Sequence, residues 1–99
     1  MPIIYHITTQ VEWDQAKAKG YYEAMSLPTE GFIHCSELHQ VNGVLGRYFE
    51  GKSDLVRLEI DTEKLTSKYV FDWSPSTKDT FPHIYGPINS EAVLNVTPL

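Results

Sequence analysis

A single cysteine, Cys35, occurs in 99 residues, so no internal disulfide can form and a reducing compartment is expected. Basic side chains are scarce: eight Lys and Arg stand against thirteen Asp and Glu, for a formal charge of −5. Without a basic block or face to neutralise phosphates, general nucleic-acid binding is not expected. A small anionic ligand stays compatible, because one pocket can differ in sign from the surface around it. No apolar run approaches the length of a membrane span, and the start Met1-Pro2-Ile3 has neither a charged n-region nor an h-region. No membrane association is expected, and the cytoplasm is the expected location. Repeats, low-complexity tracts and linkers are missing too, so residues 1–99 read as one domain.

Hydrophobic residues make up 41% of the chain and charged residues 21%, the balance of an ordinary globular protein. Six Tyr, four Phe and two Trp give a short chain large surfaces to bury. Residues Ile3 to Thr8 read as a strand, with Ile4, His6 and Thr8 on one face and Ile3, Tyr5 and Ile7 on the other. Thr9 and Glu12 have capping-box spacing, which opens a helix carrying Trp13 and Ala16 on one face and closing at Gly20. A short extended piece is expected over 21–25, with Ser26-Leu27-Pro28 as a break. Gly31 to Cys35 reads as a second buried strand, with Ser36 as the N-cap of a helix whose buried stripe is Leu38, Val41, Leu45 and Tyr48.

Gly43 and Gly46 fall inside that helix, each weakening it by roughly 1 kcal/mol relative to Ala, which close approach of another backbone would explain. Leu55 to Asp61 alternates, with Val56, Leu58 and Ile60 inward and Arg57 and Glu59 outward. Tyr69 to Trp73, Phe81 to Tyr85 and Glu91 to Val96 read as three further strands. Two helices early and most strands late predict an α+β domain with a mixed or largely antiparallel sheet.

Histidines stand at positions 6, 34, 39 and 83, and three of them fall in expected strands. His6 shares a face with Thr8, His34 with Phe32 and Ser36, and His83 with Phe81 and Tyr85. Three imidazoles from three strands, beside hydroxyls, can converge on one cleft; the plainer alternative is three separate core or edge histidines. The surrounding segments are richer than packing demands. Residues 30–36, Glu-Gly-Phe-Ile-His-Cys-Ser, gather a glycine, an imidazole, a thiol and a hydroxyl. Residues 81–87, Phe-Pro-His-Ile-Tyr-Gly-Pro, hold His83 and Tyr85 between two backbone-stiffening prolines.

These two segments, with Ile4-Tyr5-His6-Ile7-Thr8, Trp13, Gly20, Ser26-Leu27, Gln40, Asp54-Leu55 and Ile60-Asp61, resemble the small bacterial proteins called the domain of unknown function 952 family. The resemblance runs from about residue 3 to the C-terminus. Members of that family look like reduced relatives of the ADP-ribosyltransferase fold, nearest the branch with the tRNA 2′-phosphotransferases, whose members bind NAD in the cleft of a split sheet. What the resemblance implies is a His-lined cleft for NAD or a related small-molecule nucleotide. In it His6 would hold the adenosine-side ribose, and His34 and His83 with Tyr85 would line the same pocket. Ser26, Gly31 and Ser36 fall in the matching motifs. The late Glu of toxin-like transferases has no counterpart beside His83 or Tyr85; Asp72 is the nearest carboxylate in sequence, and Glu91 is the other candidate.

Cleaving a nicotinamide–ribose bond passes through an oxocarbenium-like state, which needs held sugar hydroxyls and nearby negative charge. The imidazoles with Thr8, Ser36 and Tyr85 suit the holding and Asp72 the charge, which makes His34, His83 and Asp72 the candidate catalytic residues. Cys35 cannot be activated by its neighbour His34, because adjacent strand residues face opposite ways, and it reads as a buried hydrophobe. Three imidazoles with an open position suit zinc, but no paired ligand motif on one element supports a site at His6, His34 and His83, so no metal is predicted. His39 is expected to be exposed. A ligand-binding module without turnover, and a protein-interaction domain with incidental histidines, remain the alternative functions.

Overall fold

The first strand, β1 (Ile3–Thr9), runs straight into the first helix, α1 (Gln10–Lys19), through the expected capping box. The Thr9 hydroxyl accepts from the Glu12 backbone N–H at 3.1 Å, and Gly20 closes the helix in the left-handed conformation at φ 92°. Trp13 and Ala16 are buried, as their spacing predicts. These coordinates come from a computed structural model that describes residues 2–99. Then come β2 (Tyr21–Tyr22), α2 (Ser26–Glu30), β3 (Ile33–His34), a 3₁₀ turn over Leu38–Gln40, α3 (Val41–Tyr48) and β4 (Leu55–Asp61). The chain continues through β5 (Tyr69–Ser74), β6 (Asp79–Ile84), β7 (Ile88–Asn89) and β8 (Val93–Pro98), with short 3₁₀ turns at Thr62–Lys64 and Ser90–Ala92.

The strands form three small antiparallel sheets, ordered β1-β4-β8, β2-β7 and β3-β6-β5. The molecule is thus a small single α+β domain. On one face of the first sheet Ile4, Val56, Leu58 and Ile60 join Trp13, Ile33, Ile84 and Ile88 in the main core. Alternation sends Ile7 and Leu55 to the opposite face, where they meet Val41 of α3 in a second cluster. Residues 33–36 tie two sheets together. Ile33 and His34 pair with Ile84 and His83 of β6, and the Cys35 N–H donates to the Pro82 carbonyl. One residue on, Ser36 and Tyr5 of β1 exchange two backbone hydrogen bonds of 2.7 and 2.8 Å.

Several sequence expectations are corrected. Ser26-Leu27-Pro28 begins a short helix, because Pro28 lies in its first turn, where a missing N–H costs nothing. Gly31 caps that helix at φ 92°, so the strand expected from Gly31 starts only at Ile33. Ser36 caps no helix, being spent on the bridge to Tyr5. The helix over 38–48 is interrupted after the 3₁₀ turn, which breaks the phase of the expected stripe: Val41 is buried, but Leu38 is 57% and Tyr48 62% exposed. Gly46 meets nothing, and a Cβ at Gly43 would approach the Arg47 guanidinium at 3.0 Å, so neither glycine admits another backbone. Ser90–Ala92 forms a 3₁₀ turn where the last strand was expected to start, and the extended piece over 21–25 is limited to Tyr21–Tyr22.

Candidate functional site

A cleft of about 710 Å³ opens where residues 33–36 cross from β6 to β1. This lies within the roughly 300–1,000 Å³ usual for small-molecule sites. Its floor carries His6, Ser36 and Cys35; its walls carry Ser26 and Glu30 of α2, His34, His83 and Phe81, Tyr48 and Phe49 from the end of α3, and Trp73. Aromatic side chains dominate the walls, and polar groups converge at one end. Five of the sequence-predicted residues, His6, Ser26, His34, Ser36 and His83, therefore meet here. Thr8, Gly31, Asp72 and Tyr85 do not line the cleft, and Glu91 lies elsewhere, beside Asn89.

His6 is buried, and both of its ring nitrogens are engaged within the protein. Nδ1 lies 2.6 Å from the His34 carbonyl, which can only accept, so Nδ1 carries a proton. Nε2 lies 2.9 Å from the Tyr22 hydroxyl, which lies 3.1 Å from the Thr8 hydroxyl, and Thr8 donates to Glu12 at 2.7 Å. Burial pulls the His6 pKa down to about 4, so the ring is neutral near pH 7 and Nε2 is an acceptor beside a Tyr22 hydroxyl whose single proton is shared between it and Thr8 Oγ1. The Tyr22 pKa is pushed up to about 12, mainly by burial, so that hydroxyl keeps its proton. The Thr8 hydrogen bond is the first of several that hold Glu12 below the usual carboxylate range. His6 thus offers the cleft a ring edge and no free nitrogen. Thr8 acts behind it, as a link in this chain.

His83 is arranged differently. β6 places it opposite His34, and Asp72 of β5 sits diagonally across, because Asp72 faces Phe81. Its Nδ1 lies 2.8 Å from Asp72 Oδ2, which also accepts from the Tyr85 hydroxyl at 2.5 Å. These two bonds, Tyr85's first, hold Asp72 below the usual carboxylate range; the same carboxylate raises the Tyr85 phenol. Phe32 stacks on the His83 ring with centroids 4.1 Å apart and planes 15° apart. The ring is thus fixed on three sides with Nε2 left over. His34 meets it edge-on, centroids 5.3 Å apart, and its own Nε2 lies 3.1 Å from Glu30 Oε2. Two carboxylate–imidazole pairs therefore stand side by side, each with one ring nitrogen unclaimed by the protein.

Asp72 holds His83 Nδ1 from outside the cleft lining. The carboxylate in the cleft is Glu30, which sequence reasoning passed over, although its four-residue spacing from His34 across the turn at Gly31 was a usable signal. Tyr22 and Trp73 were also missed, and no local pattern marks them. Cys35 is buried and its thiol pKa is raised by that burial, which makes it inert packing. His39 is exposed, as expected. Among the described residues no three His, Cys, Asp or Glu side chains are grouped to hold a metal ion, and no helix is long and apolar enough to cross a membrane.

The α+β frame and this cleft can be set beside known proteins. The family model for proteins of unknown function called DUF952 matches residues 7–96, and the chain belongs to that family. The crystal structure of protein CC0527 from Caulobacter crescentus superposes with a TM-score of 0.86 at 32% identity, covering 96% of this chain and 83% of that one. The solution structure of CC0527 gives 0.79 at 32% identity, covering 100% of this chain and 85% of that one. No curated protein matches the chain.

Proposed function

We propose that the cleft binds NAD or a related ADP-ribosyl nucleotide and acts on it at the anomeric carbon of a ribose, in the manner of a reduced ADP-ribosyltransferase-like domain. The observation that carries this reading is the meeting of His34, His83 and Glu30 at the polar end of an aromatic-walled cleft of nucleotide size. Flat aromatic walls take a base or a nicotinamide ring by stacking. The free ring nitrogens and the Ser26 and Ser36 hydroxyls are the groups that would hold ribose hydroxyls. Glu30, 50% exposed in its side chain, supplies negative charge to an oxocarbenium-like centre. His83, held by Asp72 with Nε2 free, is the group to take a proton from the attacking acceptor or water, and nicotinamide needs no proton to leave.

The test is an amide-resolved NMR titration with NAD, ADP-ribose and nicotinamide, followed by an assay for nicotinamide release. Shifts clustering near Glu30, His34, Ser36 and His83 are expected, together with slow release abolished by Glu30→Gln. No shifts at millimolar ligand would sink the nucleotide reading. Shifts without release, over long incubation with candidate acceptors, would leave a binding module without turnover.

A further inference from the structure

Most sheet edges of this fold are short, bridged or broken, the usual guards against pairing with another chain. β2, β3 and β7 are two residues long, Ser36 bridges β1 at Tyr5, and β8 follows a register shift and ends at Pro98. β5 has no such guard. Its six residues pair with β6 alone, in unbroken register, and include no Lys or Pro. The Lys68 carbonyl accepts from the Tyr85 N–H at 2.7 Å, so Lys68, Val70 and Asp72 turn their backbone groups to β6. Alternation turns those of Tyr69, Phe71 and Trp73 to the open edge, where among the described residues no other backbone meets them. Phe71 and Trp73 are exposed, and Tyr69 packs edge-on against Phe71 with centroids 6.3 Å apart.

We infer that β5 pairs antiparallel with the β5 of a second copy of this chain, about a two-fold axis at Val70. The strand is complementary to itself in that register. Tyr69 lies opposite the partner's Phe71, and Phe71 opposite the partner's Tyr69. All four turn their backbone groups outward, as hydrogen-bonded pairs require. Lys68 lies opposite the partner's Asp72 at both ends of the pairing, so unlike charges face each other twice. An axis at Asp72 would set the two carboxylates face to face, and an axis at Phe71 would leave both charges facing neutral residues. A copy of the same strand therefore answers its aromatic and its charged positions together. Trp73 also lines the cleft, so the paired edge runs along the cleft rim. The pairing stands apart from the nucleotide reading.

Analytical ultracentrifugation of the wild-type protein from micromolar to roughly millimolar concentration tests it, alongside amide-resolved hydrogen exchange. An edge of this size should give a weak dimer, with a Kd of roughly 10–100 μM. The Tyr69 and Phe71 amides should gain protection as the dimer fills. Phe71→Lys, which sets an edge-guarding charge in both central pairs, should leave a monomer. Lys68→Glu, at an exposed position, faces the partner's Asp72 with a like charge. It should weaken the dimer about tenfold, and it keeps the test open if Phe71→Lys does not fold. A monomer at every concentration overturns the pairing and leaves the edge to a chain of another protein. A dimer whose amides at 69 and 71 stay open, or one indifferent to Lys68→Glu, overturns it as well.

Discussion

His6 and His83 are the same side chain in two surroundings, and the contrast separates structure from chemistry within one cleft. His6 has surrendered both nitrogens, to the His34 carbonyl and to Tyr22, and is only 8% exposed. His83 has given one nitrogen to Asp72 and keeps the other, with 15% of its side chain open. A buried imidazole whose nitrogens are all paired is a fastener. An imidazole paired on one side and open on the other is held in one tautomer with a nitrogen left to carry a proton. Convergence of histidines on a cleft is therefore not enough to assign them one role.

The comparison breaks most directly by truncation. His6→Ala takes the ring from the His34 carbonyl, leaves the Tyr22 hydroxyl with Thr8 alone and opens a cavity, and should cost about 3–4 kcal/mol in urea unfolding. His34→Ala, at an exposed position, should change stability by less than about 1 kcal/mol. Equal losses in the two variants would erase the distinction between a buried, doubly paired imidazole and an open one. A second test uses pH. The folded pKa of His6, about 4, lies below the ordinary value of 6.5, so the unfolded chain binds the extra proton more readily. Stability from this group is whole above pH 6.5 and is lost as pH falls toward 4, by about 3 kcal/mol in all. Urea midpoints between pH 7 and 4 should fall accordingly, and more shallowly in His6→Gln.

Smaller effects sharpen the contrast further along each chain of contacts. Tyr22→Phe removes the hydroxyl that links His6 Nε2 to Thr8 and should cost about 1–2 kcal/mol, measurable by thermal melting. Asp72→Asn should leave the melting temperature nearly unchanged yet alter the His83 ring ¹⁵N shifts, since the carboxylate no longer fixes the Nδ1 proton. Unchanged ring ¹⁵N shifts in that variant would show that Asp72 does not set the His83 tautomer.

Much of the frame was legible because it rests on local chemistry. The capping box at Thr9 and Glu12, the Gly20 stop and the alternation of β4 are each written within a few residues. The faces of His34 and His83 were legible too, since strand alternation fixed them. What the sequence left hidden depends on distant partners. Tyr22 reaches His6 from another sheet, and the aromatic wall comes from α3 and β5. Local rules also misled where a neighbouring contact won: Pro28 reads as a break until its place in a first helical turn is known, and Ser36 reads as a cap until Tyr5 takes its backbone. Asp72 illustrates both cases, because its strand was legible and its partner His83 was two residues off the directly opposite position.

The crossing at residues 33–36 has a consequence for how this chain tolerates change in length. Its backbone is pinned to β6 at Ile33, His34 and Cys35 and to β1 at Ser36, so it works as a gauge block between two sheets. Adding or deleting a single residue there would slip the pairing by one and exchange the two faces, turning the thiol of Cys35 outward and the imidazole of His34 into the apolar interior. The tip of the turn joining β5 to β6, at 76–78 beyond the cleft-lining Pro75, has no such double anchorage, and insertions should be absorbed there while the cleft keeps its dimensions.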